Sequence, residues 1–335
     1  MFTDQRGVEH TFDEPITRVA TTVIPAPSMI TAIDQSYDRI VGVNQATIGR
    51  DKGSAFATMF PQSLQNTVIA GPDFVPNVEK ILALDPDVVV QWGDRDDDAT
   101  FITPIEDAGI PVVGLRYGTQ ADLETWIDMF GTMLQQEDRA AELIDIMHSS
   151  IDEVEAYAAE QGDSPRAMFL RGDGTGAYNA GMNSTEAYMS TWMTAGGATN
   201  VAPDVEYSQA TTVSPEQILA WNPEVIFVSG MTPLTVEQVY ADQALAGVEA
   251  VKNKRVYAVP SGGFWWDPPS AESNLMFQWA AEVLRPDDQA FDVRTAMKEH
   301  YAFLYDHQLS DTEIDRILKL DQNAAGAGYA DAFAG

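Results

Sequence analysis

Arg50, Lys52, Arg95, Arg116 and Arg171 each follow shortly after a run of apolar residues. Trp92, Tyr117, Tyr178, Phe264, Trp265 and Trp266 crowd the same stretches. A guanidinium presents a planar fork of donors that matches carboxylates and oxyanions, and indole and phenol rings supply flat apolar faces. Together they suit a planar, partly anionic small molecule. Two other uses stay open. Each arginine can pair with surface carboxylates, and the cluster Phe264-Trp265-Trp266-Asp267-Pro268-Pro269 can plug a core instead of lining a site.

The elements that would position these groups follow from a repeat. Glu79-Lys80-Ile81-Leu82-Ala83-Leu84-Asp85-Pro86-Asp87-Val88-Val89-Val90 is echoed by Glu216-Gln217-Ile218-Leu219-Ala220-Trp221-Asn222-Pro223-Glu224-Val225-Ile226-Phe227. Each copy reads as a short helix ended by Asp/Asn-Pro and then a strand buried on both faces. A repeated helix-to-strand unit implies two similar α/β lobes, and a cleft between them would hold a small molecule. Strands are expected at 18–24, 39–43, 88–92, 111–115, 167–170, 225–229 and 255–259. Helices are expected at 28–35, 97–109, 137–159, 185–195, 270–284, 295–305 and 311–320, with a polar loop over 44–54. In an open parallel sheet, ligands bind at the loops beyond the carboxyl ends of the strands, which is where the five cations fall. Ala140, Leu143, Ile144, Met147, Ile151, Val154 and Tyr157 mark one face of a long helix,. The resulting division is a lobe over 1–136, a linker helix over 137–160, a second lobe over 161–323 and a frayed small-residue tail over 324–335.

Composition narrows the classes. The 335 residues carry 51 acids against 19 bases, a formal charge of −32, so nucleic acid and anionic membrane surfaces are poor partners,. Only six of the bases are lysines. An acid-rich, lysine-poor surface fits a high-salt environment, where screening relieves self-repulsion. The absence of cysteine excludes disulfides, thiolate metal sites and cysteine nucleophiles,. No run reaches the ~18–20 apolar residues of a membrane span. Met1-Phe2-Thr3-Asp4 has neither the basic nor the apolar region of a signal peptide,. The chain therefore reads either as cytosolic or as a mature form without its leader.

A histidine-based cage for a bare metal ion is disfavoured, because His10, His148, His300 and His307 lie away from the strand-end loops,. An enzyme is also disfavoured. There is no P-loop, no G-x-G-x-x-G after a strand and no G-x-S-x-G elbow. Arg171-Gly172-Asp173-Gly174-Thr175-Gly176 is glycine-rich without a phosphate-binding pattern.

Several ordered motifs carry a family resemblance from about Thr3 to Leu320. They are Arg18-Val19, Asp38-Arg39-Ile40-Val41-Gly42-Val43, Asn77 to Val89, Gly196-Gly197 with Asn200, Val213 to Leu219, and Lys252 to Pro260. The chain resembles the substrate-binding proteins of ABC importers that handle ferric siderophores, haem and cobalamin. The resemblance implies two Rossmann-like α/β lobes with mostly parallel sheets, joined by a single long α-helix. It implies a monomeric, extracytoplasmic protein, periplasmic or extracellular, soluble or held by a lipid on a leader segment. Such a protein captures its ligand between the lobes and delivers it to a membrane permease, with no cofactor and no catalysis. It also implies that Glu79 and Glu216 pair with arginines of that permease. A glutamate in a first helical turn is equally stabilised by the helix dipole. The expected ligand is a ferric siderophore or similar iron complex, with haem or cobalamin second and molybdate or tungstate third. Arg50, Trp92, Arg95, Arg116, Tyr117, Arg171, Tyr178, Phe264, Trp265 and Trp266 are the expected ligand contacts.

Overall fold

The computed structural model describes residues 1–12, 14–94, 98–181, 188–202 and 210–335. The chain divides into two compact units. Met1–Asp145 group with Ala302–His307, and Ile146–Tyr301 group with Gln308–Gly335. The division falls inside the helix Glu137–Glu160. These groupings differ from boundaries at 136 and 161: the break lies within the helix, and the first unit also takes in Ala302–His307.

Thirteen short strands appear among the described residues. In the first unit β1 (Phe2–Thr3) and β2 (Glu9–His10) form a small antiparallel pair. β3 (Val19–Thr21), β4 (Ile40–Asn44), β5 (Thr67–Ala70), β6 (Val88–Trp92) and β7 (Val112–Leu115) form one sheet ordered β5-β4-β3-β6-β7. All four pairings are parallel. The strand order reverses between β3 and β6, and such a reversal opens a crevice at the carboxyl ends. Val88, Val89 and Val90 are fully buried, as expected for a strand covered on both faces,. Ile81, Ile102, Ile105 and Val112 join Ala20 and Val89 in the core.

In the second unit β8 (Arg166–Gly172), β9 (Tyr178–Gly181), β10 (Thr199–Asn200), β11 (Ala210–Val213), β12 (Val225–Val228) and β13 (Val256–Ala258) form a sheet ordered β11-β9-β8-β12-β13, with β10 also on β8. β8, β12, β13 and β10 run parallel, whereas β9 and β11 are antiparallel additions. This sheet is thus mixed. Its order reverses between β8 and β12, again placing a crevice at the carboxyl ends. Both units are α/β lobes of Rossmann type.

Several local expectations change. The stretch 44–54 is not a loop: Gln45–Asp51 is a helix, and the Asn44 side chain caps it by accepting from Ala46 N at 2.8 Å,. The first long helix starts at Ala26, with Pro25-Ala26-Pro27 as its opening turn, so Ser28 lies inside it and not at its start,. The strand Thr67–Ala70 escaped the hydrophobic pattern because polar and half-buried residues begin it. The tail is not frayed. Tyr329–Phe333 is helical, Tyr329 and Phe333 are 1% exposed, and Tyr329 Oη accepts from Trp279 Nε1 at 3.0 Å. The glycines there permit close approach: a Cβ on Gly326 would stand 2.7 Å from the Tyr257 ring.

Candidate functional site

The repeat becomes a three-dimensional copy. Helices Val78–Leu84 and Pro215–Trp221 are capped by Asn77 and Ser214, whose side chains accept from Lys80 N and Gln217 N at 2.9 and 3.3 Å. Both helices end in a left-handed residue, Asp85 at φ +47° and Asn222 at φ +44°. Arg18 donates to the carbonyls of Leu84 and Asp85, and Arg166 donates to that of Asn222, so each helix end is closed by an arginine from the base of a central strand,. Asp87 accepts from Arg18 N at 2.9 Å, and Glu224 accepts from Arg166 N at 2.8 Å. Partial burial works to raise the Asp87 pKa. The Thr17 and Arg18 donors outweigh it and hold the carboxyl below the ordinary range,.

Glu79 and Glu216 are both exposed in the first turn of these helices. The Glu216 carboxyl is held below its usual range by its own N–H and the Ser214 hydroxyl, so it is firmly anionic. One turn on, the same surface carries Leu82 and Leu219, 49% and 37% exposed,. Few large apolar side chains are exposed among the described residues, and these two occupy matched positions.

The strand-end residues sort differently. In the first unit Arg50 sits on a helix, not a loop. It is folded inward with its side chain 3% exposed, paired with the fully buried Asp51 and facing the Phe56 ring at 5.6 Å. Burial pushes the Asp51 carboxyl up while the Arg50 charge pulls it down, with a net rise. Arg50 therefore neutralises Asp51. Trp92 is 7% exposed and packs against Trp126 and Tyr117 at 5.7 and 5.9 Å. Trp126 Nε1 donates to the Arg116 carbonyl, and Gln5 accepts from Arg116 N. This trio is a packed end to β6 and β7 with Tyr117 half-buried at its rim. Arg116 is exposed. Its guanidinium reaches only the Gln5 carbonyl, at 3.5 Å, and makes no ion pair among the described residues. Arg95 lies outside the described residues.

In the second unit Tyr178 is 2% exposed, and its hydroxyl donates to Asp242 at 2.6 Å. Burial, then the Asp242 hydrogen bond and charge, push its pKa well up. Trp266 is fully buried, with Nε1 donating to Glu272 at 2.6 Å. Tyr301 Oη donates to the same carboxylate at 2.7 Å and accepts from Gly263 N. A Cβ at Gly262 would fall 1.8 Å from the Tyr301 hydroxyl, so only glycine fits beneath this network. Phe264 is 3% exposed and packs edge-on to Trp265 at 5.3 Å. Tyr178, Phe264 and Trp266 are thus structural, and Trp265 alone of the cluster stays half-exposed. The expected aromatic wall is largely used up in packing, because large rings in short strand-end loops are also what closes the end of a sheet.

Arg171 is half-buried at the end of β8 and makes no ion pair among the described residues. Beside it stand groups that sequence reasoning passed over. Ser229, bonded through its N–H to the Leu170 carbonyl, donates its hydroxyl to Asp267 Oδ2 at 2.6 Å. Asp267 is fully buried, and burial pushes its carboxyl up against the opposing pull of Ser229, Lys319 and Arg171. The signal for it was the aspartate inside the Trp265-Trp266-Asp267-Pro268 run. Among the described residues, Arg116 in the first unit and Arg171 in the second are the strand-end arginines without an ion pair, and Lys52 is exposed at the end of the helix Gln45–Asp51.

Residues 32–262 match the sequence profile of a family described as periplasmic binding protein. The chain is 26% identical over 328 residues to the molybdate-binding protein MolA of Haemophilus influenzae, covering 91% of this chain and 90% of that one. It is 28% identical over 227 residues to a cobalamin-binding protein of Halobacterium salinarum, covering 66% of this chain and 56% of that protein. Its fold matches the crystal structure of a periplasmic solute binding protein from Veillonella parvula with a TM-score of 0.83, at 29% identity, over 96% of this chain and 97% of that one.

Proposed function

Because the chain belongs to the periplasmic binding protein family, we propose that it is the extracytoplasmic receptor of an ABC importer and that it captures an anionic ligand. The observation that carries this reading is the placement of Arg116 and Arg171. In a protein with 51 acids and 19 bases, an arginine at a strand end is expected to be claimed by a carboxylate, as Arg50 is. These two form no ion pair among the described residues, and each lies at the carboxyl end of a parallel strand, where α/β folds bind ligands.

A ferric siderophore or similar anionic iron complex satisfies those cations. So does a metal oxyanion, and one observation favours the compact alternative: the burial of Trp92, Tyr178, Phe264 and Trp266 removes most of the surface on which a broad planar haem or corrinoid would stack. The full-length similarity to a molybdate-binding protein supports the same direction. Delivery would use Glu79 and Glu216, each beside an exposed leucine one turn along, as two like contacts for a membrane permease.

Native mass spectrometry of the purified protein with molybdate, tungstate, a ferric tricatecholate, haem and cyanocobalamin tests the ligand class. A one-to-one adduct with an oxyanion or the ferric chelate is expected. Adducts with haem or cobalamin alone would overturn the anion reading.

A further inference from the structure

Asp267 is a buried carboxylate with one oxygen left over. Oδ2 accepts from Ser229, while Oδ1 has no hydrogen-bond partner and is sealed from solvent. Oδ1 looks onto Gly230: a Cβ there would lie 3.1 Å from it and 3.0 Å from the Trp265 ring. An ionised, half-satisfied carboxylate is expensive to bury unless positive charge stands close by. Two cations supply it. Arg171 ends β8, the strand beside β12, and Ser229 N bonds across to Leu170, next to Arg171. Lys319 comes from the other side. The Ile317 carbonyl accepts from Ser261 N at 3.1 Å, and Asn323 holds both the N–H and the carbonyl of Ala258 at 2.7 and 3.1 Å. The turn 318–323 is thereby pinned to the carboxyl end of β13, beside the loop that carries Asp267. Lys319 occupies a left-handed position in that turn, at φ +54°. Lys319 is half-buried, and burial lowers its ammonium on balance against the opposing pull of the Asp267 charge. Neither Arg171 nor Lys319 makes a side-chain hydrogen bond or an ion pair among the described residues.

Two cations around one carboxylate leave a net positive basin on a chain of formal charge −32. We propose that Arg171 and Lys319 form a built anion subsite at the strand ends of the second unit, with Asp267 beneath them as the counter-charge that lets both cations stay there when no ligand is bound. The subsite takes the oxygens of one compact anionic group, either a free oxyanion or the anionic donor of a larger chelate. Arg171 and Lys319 touch the ligand, and Asp267 acts through them as a positioning residue. The inference rests on the anion-receptor reading and adds Lys319 and Asp267 to it.

The sign of two substitutions tests it. Lys319→Asn keeps a residue that tolerates the left-handed backbone and removes the charge. Asp267→Asn keeps the Ser229 contact and removes the counter-charge. Affinity is read by titrating the full chain with sodium molybdate and, in a second arm, with a ferric tricatecholate. Lys319→Asn should weaken binding about 10- to 100-fold, the scale of a charge-assisted hydrogen bond. Lys319→Arg should restore most of it. Asp267→Asn should tighten binding several-fold, whereas damage to the fold would weaken it in both variants. Response in the molybdate arm assigns a free oxyanion, and response in the chelate arm alone assigns a bound anionic donor. Wild-type binding with both asparagine variants unchanged would overturn the subsite and leave the receptor reading standing. Absence of any anion binding by the wild type would overturn both.

Discussion

At Val78–Leu84 and Pro215–Trp221 the two units repeat one another down to the cap, the left-handed exit, the arginine that closes the last carbonyls and the surface Glu with Leu one turn later. At the carboxyl ends of their sheets they differ. The first unit closes its strand ends with Trp92, Tyr117 and Trp126 and turns Arg50 inward onto Asp51. The second buries Asp267 against Ser229 at its strand ends, with a half-buried Arg171 near the end of β8. A surface presented twice suits a partner with two equivalent receivers, such as a symmetric permease. Strand ends that differ suit a ligand with no such symmetry.

Breaking the repeated surface should have the largest effect. Glu79→Arg with Glu216→Arg should abolish uptake through a reconstituted importer while ligand affinity stays within about twofold. Normal uptake by that double variant would mean the repeated helices are scaffold only.

The next test asks whether the inward-turned groups are structural. Arg50→Ala leaves Asp51 buried without its partner and should lower stability by about 3–5 kcal/mol. Trp266→Ala empties a fully buried site and should lose about as much. Chemical denaturation reads both. A variant that folds with native stability but loses ligand would return that residue to the binding surface.

Arg116→Ala should behave in the opposite way. Its melting temperature should hold, since an exposed charge with no ion pair among the described residues contributes little to the fold. Its ligand affinity should fall by about 1–3 kcal/mol. Equal affinity in variant and wild type would confine anion binding to the second unit.

A smaller effect is expected at the apolar half of the repeated surface. Leu82→Ser with Leu219→Ser should raise the concentration of loaded protein needed for half-maximal uptake a few-fold, with stability changed by no more than about 0.5 kcal/mol. A much larger loss of stability would show that the leucines belong to the core.

The repeat was legible because its signals are local. A cap, a glutamate, an Asp/Asn-Pro stop and a valine-rich strand are each written in consecutive residues, and the 137-residue offset is visible without structure. The strand ends were legible only in part. Arginine and aromatic residues could be placed on the right segments, but not told apart by what they touch. Arg50 and Arg116 carry the same signal in sequence, and only Asp51, tucked under the helix that replaces the expected loop, distinguishes them. Lys319 was invisible for another reason. It reaches β13 through Asn323 and Ile317, contacts between segments some 60 residues apart that no local pattern encodes. The tail was misjudged because small residues read as disorder, whereas here they let Tyr329 and Phe333 pack closely on Trp279.

The central claim is that this chain binds an anion through strand-end cations, and calorimetric titration at low and high salt tests it most directly. Wild-type protein titrated with molybdate or a ferric tricatecholate should give one saturable site whose affinity falls as potassium chloride rises, because the attraction is screened. Arg171→Ala should lose most of that salt dependence along with the affinity. Binding that is indifferent to salt, or an Arg171→Ala variant that binds as the wild type does, would contradict the account.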